Sequence, residues 1–112
     1  MNREFYKDQD DDIPLSVERI VRAMMFDYSR RSKLLSQGGL SDQVQQTYLH
    51  LNFIIDSALE SVEIGLRKTL MEDIALHRGY DMSPCNYLVA KNTYYRRRYK
   101  VIHDVAVSLG LI

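Results

Sequence analysis

Apolar residues in this chain recur at steps of three and four, and no stretch keeps the two-residue alternation of a half-buried strand. Val17, Ile20, Val21, Met24 and Tyr28 predict a first helix over 15–35, with Pro14 where an opening turn tolerates proline. Gly38-Gly39 breaks it, and Ser41-Asp42 offers side-chain oxygens for the next start. Val44, Tyr48, Leu51, Ile55, Ala58 and Val62 then alternate steps of four and three, a heptad seam. It has two readings: a helix packed antiparallel within its own domain, or a dimer seam. Phe53, Ile54 and Leu59 widen the apolar face and favour the first. Val44, Tyr48, Leu51 and Ile55 stand as the candidate self-association face for a homodimer.

Beyond a break at Ser61 or Gly65, Leu66, Leu70, Ile74 and Leu76 predict a further helix. Gly79 is expected to close it in the left-handed conformation, with His77 and Arg78 at the negative end of its dipole. Ser83-Pro84 predicts a short helix through 89, and Asn92 caps a last helix over 92–109 that Gly110 ends. On that last helix Tyr95, Tyr99, Ile102, Ala106 and Leu109 form the apolar stripe, and Thr93, Arg96, Arg97, Lys100 and Asp104 oppose it, with Tyr94 and Arg98 on the borders. The expected core of this half is Leu66, Leu70, Ile74, Leu88, Tyr95, Ile102, Ala106 and Leu109. The fold class that results is all-α: a small domain of about five helices ending in a helix-turn-helix. Residues 1–13 read as a flexible acidic tail and 14–112 as one domain, with a scaffold over 41–78 and the helix-turn-helix over 83–109.

Composition narrows the class. With 112 residues, 46% apolar and 27% charged, the chain can bury a working core without staples. One cysteine excludes an intramolecular disulfide and fits a reducing cytoplasm. No basic stretch followed by an apolar run opens the sequence, and no apolar run approaches the roughly 18 residues of a membrane span, so neither a signal peptide nor a membrane partner is expected. The formal net charge of zero conceals a polarity: residues 1–60 carry −3 and residues 61–112 carry +3. The stretch 91–100 alone holds five basic residues and no acid, at the start of the last helix.

A basic helix N-terminus is what a helix-turn-helix inserts into the major groove of double-stranded DNA. Arginine can bond two acceptors of guanine there, while hydroxyls and lysines reach phosphates. The candidate DNA-binding residues are therefore Asn92, Thr93, Tyr94, Arg96, Arg97 and Lys100, with Arg98 as a flanking phosphate contact. Arg97, nearly opposite the expected apolar stripe, is the candidate base reader. A solvated charged face is the competing reading. Catalytic chemistry has little support. His50, His77, His103 and Cys85 share no metal-ligand spacing, Glu60, Glu63, Glu72 and Asp73 read as exposed helix acids, and no phosphate loop or nucleophile motif occurs. No cofactor and no enzymatic activity are expected.

Thr93-Tyr94-Tyr95-Arg96-Arg97-Arg98, followed by Val101-Ile102, Ala106 and Leu109-Gly110-Leu111-Ile112, resembles the end of the ArpU/RinA-type phage late-gene activators. Ile55-Asp56-Ser57-Ala58-Leu59 with Leu66-Arg67 and Leu70 is similar in layout to the helices preceding the motif there. The resemblance spans 51–112 and implies a relative of the DNA-binding region at the end of bacterial sigma factors. Family members commonly carry a serine or similar cap two or three residues before the Thr-Tyr-Tyr, where this chain has Ala90 and Lys91, which leaves capping to Asn92 or Thr93. The implied function is a sequence-specific transcriptional activator of a phage or prophage in a bacterial host's cytoplasm. Two other readings stay open: a module docking on host RNA polymerase or another regulator, and a small terminase-like DNA-packaging subunit.

Overall fold

The computed structural model describes residues 13–112, and helical periodicity resolves there into five α-helices with no strand among the described residues: α1 (Leu15–Phe26), α2 (Tyr28–Gln37), α3 (Asp42–Leu59), α4 (Ile64–Ala75) and α5 (Lys91–Ser108). A single 3-10 turn, Tyr80–Met82, lies between the last two. The all-α class holds. Most of the expected acidic tail falls outside the described residues; its last residue, Ile13, belongs to the core.

The expected first helix is two. Asp27 interrupts it, and the cause sits one turn further on. The Arg31 guanidinium is buried; its Nη2 donates to the Met24 carbonyl at 2.8 Å and its Nε to Asn52 Oδ1 at 2.7 Å. A side chain that takes a carbonyl out of the helical ladder bends the helix at that point. α2 ends at Gly38, whose φ of 78° is open to glycine at little cost. Ser41 then caps α3 by accepting from the Val44 N–H at 3.3 Å.

α1 packs on α4 and α5, and α3 packs on α2 and α5. Val17, Val21 and Met25 meet Ile54, Ile55, Ala58, Leu66, Leu70, Ile74, Val101, Ile102 and Val105 in one core. The heptad seam of α3 is divided. Ile55, Ala58 and Val62 are inside this core, while Val44, Tyr48 and Leu51 are half-buried. Arg30 lies over the Tyr48 ring at 5.5 Å from its centroid. Ile55, at 0% exposure, cannot belong to a self-association face, which corrects that candidate set and favours the intramolecular reading of the seam. α2 and α3 pair as a helical hairpin.

Gly79 does not end α4. His77 takes the left-handed position, at φ 56°, and Gly79 is extended. The His77 N–H donates to the Ile74 carbonyl at 3.1 Å and the Arg78 N–H to the Asp73 carbonyl at 2.7 Å, the pair of bonds that defines a Schellman ending. Gly79 is small for another reason: a Cβ there would stand 3.2 Å from the Tyr95 hydroxyl. His77→Gly should raise stability by about 1 kcal/mol, because the left-handed conformation costs a residue with a Cβ about that much. The advantage should grow on acidification. Burial first, then Arg22 and Arg98, hold the His77 imidazolium's pKa below its ordinary 6.5. The unfolded chain thus binds the proton more readily, and the parent loses stability as pH falls below 6.5. Thermal melts of both proteins across that range measure this; equal pH dependence would refute it.

Candidate nucleic-acid interface

α5 begins at Lys91, one residue before the expected cap. Ala90 is the N-cap and makes no side-chain cap bond, so neither Asn92 nor Thr93 has that role. The segment 83–89 is not a helix. Residues 84–88 form a run of turns, closed by the Asn86 N–H on the Ser83 carbonyl at 3.3 Å and the Leu88 N–H on the Cys85 carbonyl at 2.9 Å. α5 is therefore entered from turns, and the nearest preceding helix is α4. Tyrosines hold this loop. The Tyr80 hydroxyl lies 2.7 Å from both the Asn86 and Val89 carbonyls, and the Tyr95 hydroxyl accepts from the Tyr80 N–H at 3.1 Å. Cys85 turns inward as a consequence, and Leu88, expected in the core, is 54% exposed beside exposed Met82 and Tyr87.

The inward face of α5 is rotated from the expected one. Tyr94, Tyr95, Arg98, Val101, Ile102, Val105 and Ala106 are all buried, while Tyr99 and Leu109 are half-buried. The centre of burial lies roughly 50° toward Tyr94 and Arg98, half of one residue step. What draws these two polar residues inside is Asp73. It lies on the inward stripe of α4 and is fully buried, not an exposed helix acid. The Tyr94 hydroxyl donates to its Oδ2 at 2.7 Å and Arg78 Nε to its Oδ1 at 2.6 Å. Arg98 Nη1 donates to the Tyr94 hydroxyl at 2.9 Å and also to the Arg78 carbonyl. Burial, together with the bond to Asp73, raises the Tyr94 phenol's pKa far above its ordinary range, so it stays a donor. Tyr94 and Arg98 are thus removed from the DNA-contact set.

Of the other expected contacts, Asn92, Arg96 and Lys100 are exposed and Thr93 is half-exposed. Lys100 also reaches Asp104 at 2.8 Å, an exposed pair one turn along the helix. Arg97 is at the border, where both its Nε and Nη2 donate to Glu63 at 3.1 Å. That hydrogen bond holds the Glu63 carboxyl below its usual range. With the face rotated, Lys100 and Arg96, not Arg97, point away from the core. The exposed side of α5 over its first turns therefore brings Asn92, Thr93, Arg96 and Lys100 together. The sequence signal for the buried network was Asp73, spaced with Leu66 and Leu70 on one helical face.

Among the described residues no three His, Cys, Asp or Glu side chains gather where a metal could be held, and no helix is long and apolar enough to cross a membrane. No protein-family model, curated protein or solved structure matches this chain.

Proposed function

We propose that the protein is a sequence-specific regulator of transcription that binds double-stranded DNA, of the phage or prophage late-gene activator kind, with α5 as its reading helix in a bacterial cytoplasm. The observation that carries this reading is the exposed face of α5. It sets Arg96 and Lys100 on successive turns, flanked by Asn92 and Thr93, on a helix whose other side is anchored by buried Tyr94, Arg98, Val101 and Val105. Rigid support on one face and cations with short polar side chains on the other suit groove entry and phosphate contact. The resemblance of 93–112 to late-gene activators supplies the regulatory class.

The test is fluorescence anisotropy on a duplex selected from a random pool. Changing Arg96 and Lys100 together to alanine should weaken binding and lower the slope of log affinity against log salt by about two. Glu63→Gln releases Arg97 and should tighten binding, steepening the slope by about one. Affinity and slope untouched by either change would reject α5 as the DNA contact. A second reading, docking on RNA polymerase or another regulator, is supported by the loop before α5. Hydrogen bonds hold it rigidly while Met82, Tyr87 and Leu88 face solvent. DNA-independent binding of purified polymerase, lost in Tyr87→Ser, would select it.

A further inference from the structure

We infer that Asn92 and Arg96 read two neighbouring base pairs, through an adenine and a guanine, while Lys100 sets the helix against the phosphate backbone. The inference rests on α5 as the DNA contact and sharpens it into a target sequence. What separates the polar residues of α5 is how far the fold has already committed each side chain. Arg98 is buried, with Nη1 on the Tyr94 hydroxyl and the Arg78 carbonyl. Arg97 gives both Nε and Nη2 to Glu63, and Lys100 is paired with Asp104. Arg96 is exposed and makes no hydrogen bond or ion pair among the described residues. Asn92 is in the same condition: Ala90 holds the N-cap position, no side-chain cap bond is made, and the Asn92 carboxamide faces solvent uncommitted.

Position and shape then give the roles. Asn92 and Arg96 lie four residues apart in the first two turns of α5, so they share one face about 6 Å apart along its axis. The N-terminal residues of a reading helix are the ones that meet base edges. Reading helices in the major groove advance about one base pair for every three or four residues, so these two side chains fall on neighbouring pairs. Both end in planar groups that bond two atoms at once. The guanidinium fork matches O6 and N7 of guanine, and the carboxamide matches N6 and N7 of adenine. No acid occurs over 91–100, so the sequence around both readers places no negative charge against the DNA strands. Lys100 stands one turn beyond Arg96. It is a point charge without a fork, and it exchanges the exposed Asp104 carboxylate for a phosphate oxygen, which positions the helix without reading sequence. Arg97 is excluded as base reader because both of its bonding nitrogens serve Glu63.

Selection of duplexes from a random pool, followed by anisotropy on single-base variants of the enriched site, tests the inference. The parent should require an adenine and a guanine on neighbouring pairs and lose about 5- to 150-fold in affinity when either is replaced. Arg96→Gln should move the preference at the guanine position to adenine. Asn92→Asp should move the preference at the adenine position to cytosine, whose amino group a carboxylate accepts. Lys100→Ala should weaken all sequences alike. Arg96 carries its charge into the phosphate field whichever role it has, so base preference and not the salt slope decides. Arg96→Gln and Asn92→Asp should keep the parent's circular dichroism spectrum and melting temperature, because both side chains are exposed. Unaltered base preference in either variant, with duplex binding retained, would overturn that residue's base assignment and leave α5 as a phosphate contact. Duplex affinity that survives changing Arg96 and Lys100 together to alanine is a separate failure: it would remove α5 from the DNA, and this inference with it.

Discussion

Asp73→Ala should lower the free energy of unfolding by about 3–5 kcal/mol, because it removes one partner of a buried ionic network and leaves the others in place. Asp73 is fully buried and its two oxygens accept from Arg78 and Tyr94. Without the carboxylate, the Tyr94 hydroxyl loses its acceptor and Arg98, itself buried, loses the negative charge that Tyr94 relays to it. Among the described residues no buried side-chain nitrogen or oxygen lacks a partner, so the deletion creates a defect that the parent does not have. Urea denaturation monitored by circular dichroism should show a lower midpoint at unchanged slope. Pairing the change with Tyr94→Phe should recover part of the loss, since the two residues share one bond. A loss below about 1 kcal/mol for Asp73→Ala would mean that the network contributes little beyond its own desolvation.

Ile55→Ala should cost about 2–5 kcal/mol, the range for truncating a fully buried aliphatic side chain where the surroundings relax only in part. Ile55 has no exposed surface and packs in the shared core. The same substitution separates the two faces of α3. Its effect should appear in the denaturation midpoint, and the folded protein's sedimentation should match the parent's. A destabilisation well under 1 kcal/mol, or a selective loss of association, would return Ile55 to an intermolecular seam.

Much of the fold was legible because it rests on local rules. Gly38, Ser41 and Gly110 act at or next to their expected positions, since a left-handed backbone and an N-cap each ask for a narrow set of residues. Leu66, Leu70, Ile74, Tyr95, Ile102 and Ala106 are buried as their spacing implies. The departures share a cause: long-range polar contacts, which periodicity does not record. Arg31 finds Asn52 across the hairpin and breaks the first helix. Asp73 finds Tyr94 and turns α5 on its axis, which shifts the candidate interface from Arg97 toward Arg96 and Lys100. The turns over 84–88 look helical in sequence because Ser-Pro opens either structure, and a segment so short shows no period.

The bonds that fix α5 and the loop before it also set how this region opens. Loop backbone is held by side chains of the helix: the Tyr80 N–H by the Tyr95 hydroxyl and the Arg78 carbonyl by Arg98. Such a loop has little ladder of its own to unzip. Its amides and those of the first turns of α5 should therefore open as one cooperative unit, held by these buried side-chain bonds more than by local helix propensity. Weakening the Tyr94–Asp73 bond should then speed hydrogen exchange across both segments together.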